Sequence, residues 1–453
     1  MKSGARCILT ECLRLSRDER LLIVYDDTAP SCVQALQEAS EELRIVCRPY
    51  FVPLDHQMRY QADMGIPIDL GARLDESRGV LTCLTNKPDK GCTEFRRDLV
   101  QRAATGNHKR VGHMPGITED IFASSMDIDY ASMEQMCDDL ALALTVGESS
   151  HLLTFADGQE PAQLVIGLGA WARRGVVSSG RIPAGTWGNL PGGETFIAPL
   201  EGTAHGSFFL NGSFKGQVLP PGEALRLEFE SGRLVDVSGG ETLKQRFWHL
   251  TADARESGDK NWNVLAELGI GVNSKIERLF GNPLSDEKCM GTAHIAIGDN
   301  TDFGGESRSK IHEDLITRSP SLRIGGKDIL SHGEYVFQSS EWRENICEWP
   351  ADPTLGNPSS LRMARGLVPA KQHGEELRVE CAISDRLNSY TLGDGLSSPL
   401  LAVIYSNVPL GGRQEKYTEI LKKVRKAKPD ISDQVFERGI AILLRHRVVV
   451  VFR

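Results

Sequence analysis

The sequence predicts an α/β protein: an open α/β N-terminal domain over residues 1–150, a β-rich α/β metal-binding domain over 151–345, and a small winged-helix-like α+β unit over 360–453. Three observations predict it. Short apolar runs alternate with amphipathic stretches through the first third, the pattern of an open α/β sheet. Short, glycine-punctuated β-like runs then dominate to about residue 330, and a proline-rich connector, Pro350 to Pro358, sets off the remainder.

Within the first part, Leu21-Leu22-Ile23-Val24-Tyr25 is an apolar strand closed by Asp26-Asp27. Ser31 to Leu43 has helical spacing, Ile45-Val46-Cys47 opens the next strand, and Gly79 to Leu84 reads as another. Ala131 to Thr145 repeats at helical period through Met133, Met136, Cys137, Leu140 and Leu144, a core-facing stripe. The strand Leu164-Val165-Ile166 precedes Gly167-Leu168-Gly169-Ala170-Trp171-Ala172, which imitates a dinucleotide fingerprint. Arg173 to Val177 turns back into β where that motif requires a helix, so a nucleotide role lacks its mechanical basis. Asn211-Gly212 and Ser238-Gly239-Gly240 carry hairpin chemistry, and Gly240-Glu241 leads into a helix around Leu243 to Ala252.

Beyond the connector, Tyr417, Ile420, Leu421 and Val424 recur at helical spacing until Lys428-Pro429-Asp430 breaks the pattern. Ser432 can cap a second helix through Val435, Phe436, Ile440 and Leu443, and Val448 to Phe452 closes as a strand.

Composition bounds the function. The chain of 453 residues, 40% hydrophobic, is long enough for two or three cores. No apolar run approaches the ~20 residues that span a bilayer, and no signal-peptide stretch follows the N-terminal charges, so a cytoplasmic setting without a membrane partner is expected. Ten scattered cysteines without paired zinc spacing read as reduced thiols, with Cys7, Cys47, Cys83 and Cys381 among apolar neighbours. A net charge of −9 argues against nucleic acid as a partner. From Arg413 to Arg453, however, eleven Lys or Arg meet five Asp or Glu, so this tail carries +6, as an accessory or dimerisation unit of a homodimer would.

The chemistry concentrates between Glu194 and Asp314. His312 and Asp314, one residue apart, leave the same face of an extended strand while Glu313 points away. Glu194 leaves the sharp corner Trp187 to Gly193 into the apolar Phe196-Ile197-Ala198, and Glu267 lies among the apolar residues of Val264 to Ile270. Carboxylates in such settings are paired with a cation, protonated, or bound to metal. With His294 they supply the nitrogen and oxygen donors that zinc, cobalt or manganese favour, and enough carboxylates for two ions. His205 and His332 are further histidines of the region. His205 reads as a hairpin residue or a donor behind the site, and Tyr335 is a phenol within reach of the domain's end.

The ordered set Asn-Leu-Pro-Gly-Gly-Glu ending at Glu194, Ala-Glu-Leu-Gly around Glu267, His-Ile-Ala-Ile-Gly from His294 and Ile-His-Glu-Asp through His312 and Asp314 resembles the thermophilic metallo-aminopeptidase family, aminopeptidase T and S. The resemblance covers about residues 1–330 and is specific from Gly188 to Leu315. It implies that Glu194, Glu267, His294, His312 and Asp314 hold a pair of divalent metals, with Glu267 as catalytic base, for hydrolysis of a peptide or small amide. The family's catalytic tyrosine, seven residues after the first motif histidine, is here Thr301 in the polar loop Asp299 to Gly305. A threonine hydroxyl lacks the reach and acidity of a phenol. The same superfamily holds the 2,5-dihydroxypyridine ring-cleaving dioxygenases, and that branch implies one Fe(II) on His294, His312 and Asp314. A binding protein that keeps the fold without catalysis is the third possibility.

Overall fold

In a computed structural model of the chain, residues 1–336 are described except 106–107 and 170–171, together with 360–363, 371–373, 376–381, 388–392, 417–427, 429 and 449–452. Strands β1 (Arg20–Tyr25), β2 (Val46–Phe51), β3 (Gly79–Cys83) and β4 (Arg110–His113) form a parallel sheet in the order β2-β1-β3-β4, which β8 (Thr186–Asn189) extends beside β4. The apolar run of β1 explains its position. Leu21 and Ile23 enter one core with Leu36 and Phe122, while Leu22 and Val24 enter another with Phe95 and Leu99. Both faces are therefore covered by helices, as parallel strands require. The helix Pro30–Leu43 begins on its proline and stops at Arg44, whose backbone is left-handed. The helix Tyr130–Val146 is capped by Asp129, which accepts from the Ala131 and Ser132 amides.

Two antiparallel sheets follow. One joins β5 (Ser149–Thr154), β6 (Ala162–Gly167), β10 (His205–Leu210), β13 (Leu225–Glu230), β14 (Arg233–Gly239), β18 (Ser321–Ile324), β19 (Lys327–Ser331) and β20 (Glu334–Tyr335) in the order β14-β13-β10-β6-β5-β18-β19-β20. Because β6 runs antiparallel between β5 and β10, the glycines after it do not open a dinucleotide-binding crossover. The other joins β7 (Val176–Ser178), β9 (Glu194–Ile197), β11 (Ser213–Phe214), β12 (Gln217–Val218), β15 (Leu265–Gly271), β16 (Ala293–Gly298) and β17 (His312–Thr317) in the order β12-β11-β17-β16-β15-β9-β7. Leu268, Ile270, Ile295, Ile297 and Leu315 of this sheet share an apolar core with Phe208 and Leu227 of its neighbour.

Both expected hairpins are corrected. Asn211-Gly212 carries the chain from β10 into β11, which lie in different sheets. The Asn211 side chain pins that corner, donating to Phe155 O and accepting from the Arg318 amide, and Gly212 presses so close to Ile316 that a Cβ would meet its carbonyl oxygen at 2.4 Å. Ser238-Gly239-Gly240 ends β14 and leads into the helix Glu241–Leu250. The two-residue turns among the described residues are instead Lys215-Gly216, Ser231-Gly232, Gly325-Gly326 and His332-Gly333, where both residues have the positive φ that a tight hairpin needs.

The N-terminal parallel sheet and the β-rich region give the expected α/β class, with the five candidate ligands in antiparallel sheet. Of the C-terminal unit, the helix Tyr417–Ala427 is present and Val449–Phe452 pairs antiparallel with Ser360–Met363. The connector Pro350–Pro358 and the helix expected from Ser432 lie outside the described residues, so a winged-helix arrangement is not established. No helix among the described residues is long and apolar enough to cross a membrane. Cys7, Cys12, Cys32, Cys47, Cys83, Cys92, Cys137 and Cys289 are free thiols.

Candidate metal centre

Strands β9, β15, β16 and β17 lie side by side and bring together Glu194, Glu267, His294, His312 and Asp314. Opposed residues of an antiparallel pair share a face, so register decides which side chains meet. Glu194 faces Gly271, His294 faces Gly269, His312 faces Gly298, and Glu267 and Asp314 both face Ala296. On one side each candidate ligand therefore looks across the ladder at a residue with little or no side chain, while on its β17 side His294 faces Ile316. At Gly269 the space is filled by the imidazole itself, since a Cβ there would lie 2.0 Å from His294 Nε2. The register shift between Leu265 and Glu267 matters too. Regular alternation would put both on one face; the bulge lets Leu265 enter the core while Glu267 turns to the histidines.

Glu267 joins two groups. Its Oε1 lies 3.1 Å from His294 Nε2 and its Oε2 lies 3.3 Å from His312 Nε2, which is also 3.3 Å from Asp314 Oδ1. His294 Nε2 is 3.8 Å from Glu194 Oε2, while its buried Nδ1 has no hydrogen-bond partner. Two sets of donor atoms are compact enough to hold a cation: Glu194 with Glu287 and His294, and Glu267 with His312 and Asp314. The set opens at one end, where the His312 side chain is 32% exposed against 0% for His294.

Glu287 and Lys288 were not singled out in the sequence, where Asp286-Glu287-Lys288 resembles a solvated charge run. The structure buries both. Lys288 Nζ donates to Glu194 Oε1 at 2.8 Å and to Glu287 Oε1. Glu194 and Glu287 thus meet one ammonium while Glu267 and Asp314 meet only imidazoles, so buried carboxylates outnumber the fixed cation and favour a positive charge among them. Burial opposes charge on both histidines, yet the neighbouring carboxylates prevail. The Glu267 hydrogen bond and the charges of Glu267, Glu194 and Asp314 push His294 up to about 9, and Asp314 with Glu267 holds His312 well above the usual histidine range. Burial likewise opposes ionisation of Asp314, but the charge of His312 brings it down to about 2, and the two imidazoles hold Glu267 below its ordinary value. Glu287, buried beside the charge of Glu194, is pushed well up. The donor chemistry and the partnerless imidazole nitrogen both fit a divalent metal.

The loop from Asp299 to Ser307 is more than a connection. Asp299 O accepts from His312 Nδ1 at 2.6 Å, which leaves Nε2 facing Glu267 and Asp314. Asn300, fully buried, holds the loop by accepting from the Ser307 amide at 2.9 Å and donating to Glu201 at 3.0 Å. Thr301 spends its hydroxyl on Asp299 Oδ1 at 2.7 Å. Phe303 packs edge-on against both Phe196 and His312, at 5.2 and 5.8 Å between ring centres. Tyr335 does not supply the missing phenol, because its hydroxyl donates to Gly271 O at 2.6 Å. His205 is exposed on β10 in the other sheet, and His332 stacks on Phe155. Glu313 points away from the site and pairs with Lys215.

Residues 162–342 match the model of the thermophilic metalloprotease family, M29, and the resemblance read from the motifs stands. A curated relative, 2,5-dihydroxypyridine 5,6-dioxygenase of Pseudomonas putida, is 23% identical over 165 residues, covering 34% of this chain but only 45% of that enzyme's length. The fold is similar to that of 2,5-dihydroxypyridine dioxygenase from Pseudomonas putida KT2440, with a TM-score of 0.54 over 74% of this chain and 97% of that one. It is also similar to AmpT from Thermus thermophilus, with a TM-score of 0.52 over 74% of this chain and 98% of that one. Both solved structures are 15% identical to this chain, a likeness of fold.

Proposed function

From the premise that residues 162–342 carry the thermophilic metalloprotease pattern, we propose that this chain is a metal-dependent hydrolase that cleaves an amide or peptide bond with metal-activated water. The carrying observation is the meeting of Glu194, Glu267, Glu287, His294, His312 and Asp314 as two adjoining donor groups on one buried sheet face. Such donors suit zinc, cobalt or manganese, and a divalent ion of this kind lowers the pKa of a bound water toward ~7 and polarises a carbonyl.

The chain's own residues do the rest. His312 is held in one tautomer by Asp299 O. Glu267 keeps the catalytic assignment: its Oε2, on the side where His312 meets solvent, receives the proton that the attacking water loses. Substrate enters past His312, and Phe303 and Phe196 offer an apolar wall to the group beside the scissile bond. With Thr301 tied to Asp299 and Tyr335 tied to Gly271, neither supplies the phenol's role, so the substrate is a small amide or peptide needing no such donor. A cytoplasmic homodimer completes the reading, supported by the acidic body, the basic tail and the free thiols. The test is His312→Ala, expected to lose bound metal and hydrolysis while keeping its far-UV circular dichroism; full metal content in that variant rejects the assignment.

Two observations favour a second reading, a mononuclear Fe(II) dioxygenase: the relative aligned over 165 residues is a 2,5-dihydroxypyridine 5,6-dioxygenase, and this chain lacks the peptidase tyrosine. Metal identity separates the two. Zinc, cobalt or manganese with amide turnover supports hydrolysis; iron with substrate-dependent oxygen uptake supports the second reading, and neither turnover leaves a binding protein.

A further inference from the structure

We infer that Lys288 is the resident cation of the Glu194–Glu287–His294 group, so that this chain takes a single divalent ion, at Glu267, His312 and Asp314. The inference rests on the metal-dependent reading and fixes the ion count within it, against the two ions expected from the sequence.

The Lys288 side chain is fully buried, with Nζ 2.8 Å from Glu194 Oε1 and in hydrogen-bond contact with Glu287 Oε1. One oxygen of each carboxylate is therefore spent on the ammonium. An ammonium offers donors only, so it compensates the charge of these glutamates without accepting a water or a substrate oxygen as a metal would. A divalent ion in the same group would share both carboxylates with a like charge, in an interior where repulsion is poorly screened. Removing the lysine instead requires moving a fixed backbone. The Lys288 carbonyl accepts from the Asn273 amide at 2.9 Å and its amide donates to Ser285 O at 3.1 Å. Asp286, immediately before this pair, holds the Phe280 and Gly281 amides and the Ser213 hydroxyl.

The second group has no such occupant. Among the described residues the ion pairs of Glu267 and Asp314 are with imidazoles alone. Glu267 and Asp314 have no ammonium beside them, whereas Lys288 already compensates the Glu194 and Glu287 pair. Charge and geometry agree: one half of the site holds a side-chain cation and the other awaits a metal.

The test is metal content per chain, by plasma mass spectrometry after equilibration of the full-length protein with Mn²⁺ and dialysis. The wild type is expected to hold one ion, Glu194→Gln to keep it, His312→Ala to lose it, and Lys288→Met to hold two. Electron paramagnetic resonance of Lys288→Met should then show a spin-coupled Mn²⁺ pair that the wild type lacks. Two ions in the wild type, or an unchanged single ion in a folded Lys288→Met, overturn the inference and leave the hydrolase reading standing. If Lys288→Met does not fold, loss of the ion from Glu194→Gln still overturns it. A wild type that binds no ion sinks the metal-dependent reading itself.

Discussion

The imidazole of His294 occupies the volume that a side chain at Gly269 would take, with Nε2 2.0 Å from where that Cβ would stand. The two residues are opposed across β15 and β16, so the missing side chain on one strand is what lets the ring lie flat over the sheet toward Glu267. The glycine is part of the candidate metal centre although it offers no donor.

Gly269→Ala must therefore displace the ring or the strand. Overpacking of this kind costs about 1–3 kcal/mol, and a displaced ring no longer holds Glu267 Oε1, which should weaken metal binding by about 10- to 100-fold, the range seen when a ligand loses its support. Calorimetric titration with Zn²⁺ measures it; wild-type affinity in Gly269→Ala would show that the ring does not need that space.

Metal binding should expel protons. In the metal-free protein His294, at about 9, and His312, held well above its usual range, are charged at pH 7, whereas an ion binds a neutral ring. Apparent affinity should rise with pH toward about 9, and titrations at pH 7 in buffers of different ionisation enthalpy should report release of about one to two protons. The sign for stability follows from a folded pKa above the unfolded one. The stability the His294 imidazole contributes is fully present below the unfolded histidine value and is lost as pH rises through about 9 in metal-free protein. Buffer-independent heats would contradict the charged state.

His113, at the end of β4, carries the opposite shift. Burial, aided by the positive charge of Arg96, pushes it down to about 3, and its Nδ1 lies 2.6 Å from Thr82 Oγ1. The unfolded chain therefore takes up a proton below the ordinary histidine value that the folded chain refuses, so stability falls as pH drops from there toward about 3. Denaturant unfolding between pH 7 and 4 should show a shallower pH slope in His113→Gln; an identical slope would clear this residue of the effect.

Asn300→Ala should loosen the loop that fixes His312. It removes buried hydrogen bonds to the Ser307 amide and Glu201, leaving partners unsatisfied at a cost of about 1–3 kcal/mol. Metal affinity should fall with stability, because Asp299 O would no longer be held against His312 Nδ1. A variant that loses stability but keeps wild-type affinity would separate the loop from the centre.

Periodicity and turn chemistry are local, and so they were readable. The apolar run of β1, the stripe of the helix Tyr130–Val146 and the same-face spacing of His312 and Asp314 are written in neighbouring residues. Hairpin chemistry was less reliable, since Asn211-Gly212 supplies the right residues but spends them on a corner between two sheets. The five candidate ligands were nameable as donors by type and motif order. Their meeting was not, because it depends on the register of four strands, a bulge before Glu267 and the small residues opposite each ligand.

The sequence by itself determined the α/β class, the residue types of the centre and the absence of the family's tyrosine at Thr301. Only the tertiary structure decided that Glu287 and Lys288 belong to the site, that Thr301 and Tyr335 are committed elsewhere, and that Asp299 fixes His312. The reason is burial. A charged pair in a turn costs nothing in water, and the same pair joins the candidate site only when folding removes the water and sets it against Glu194.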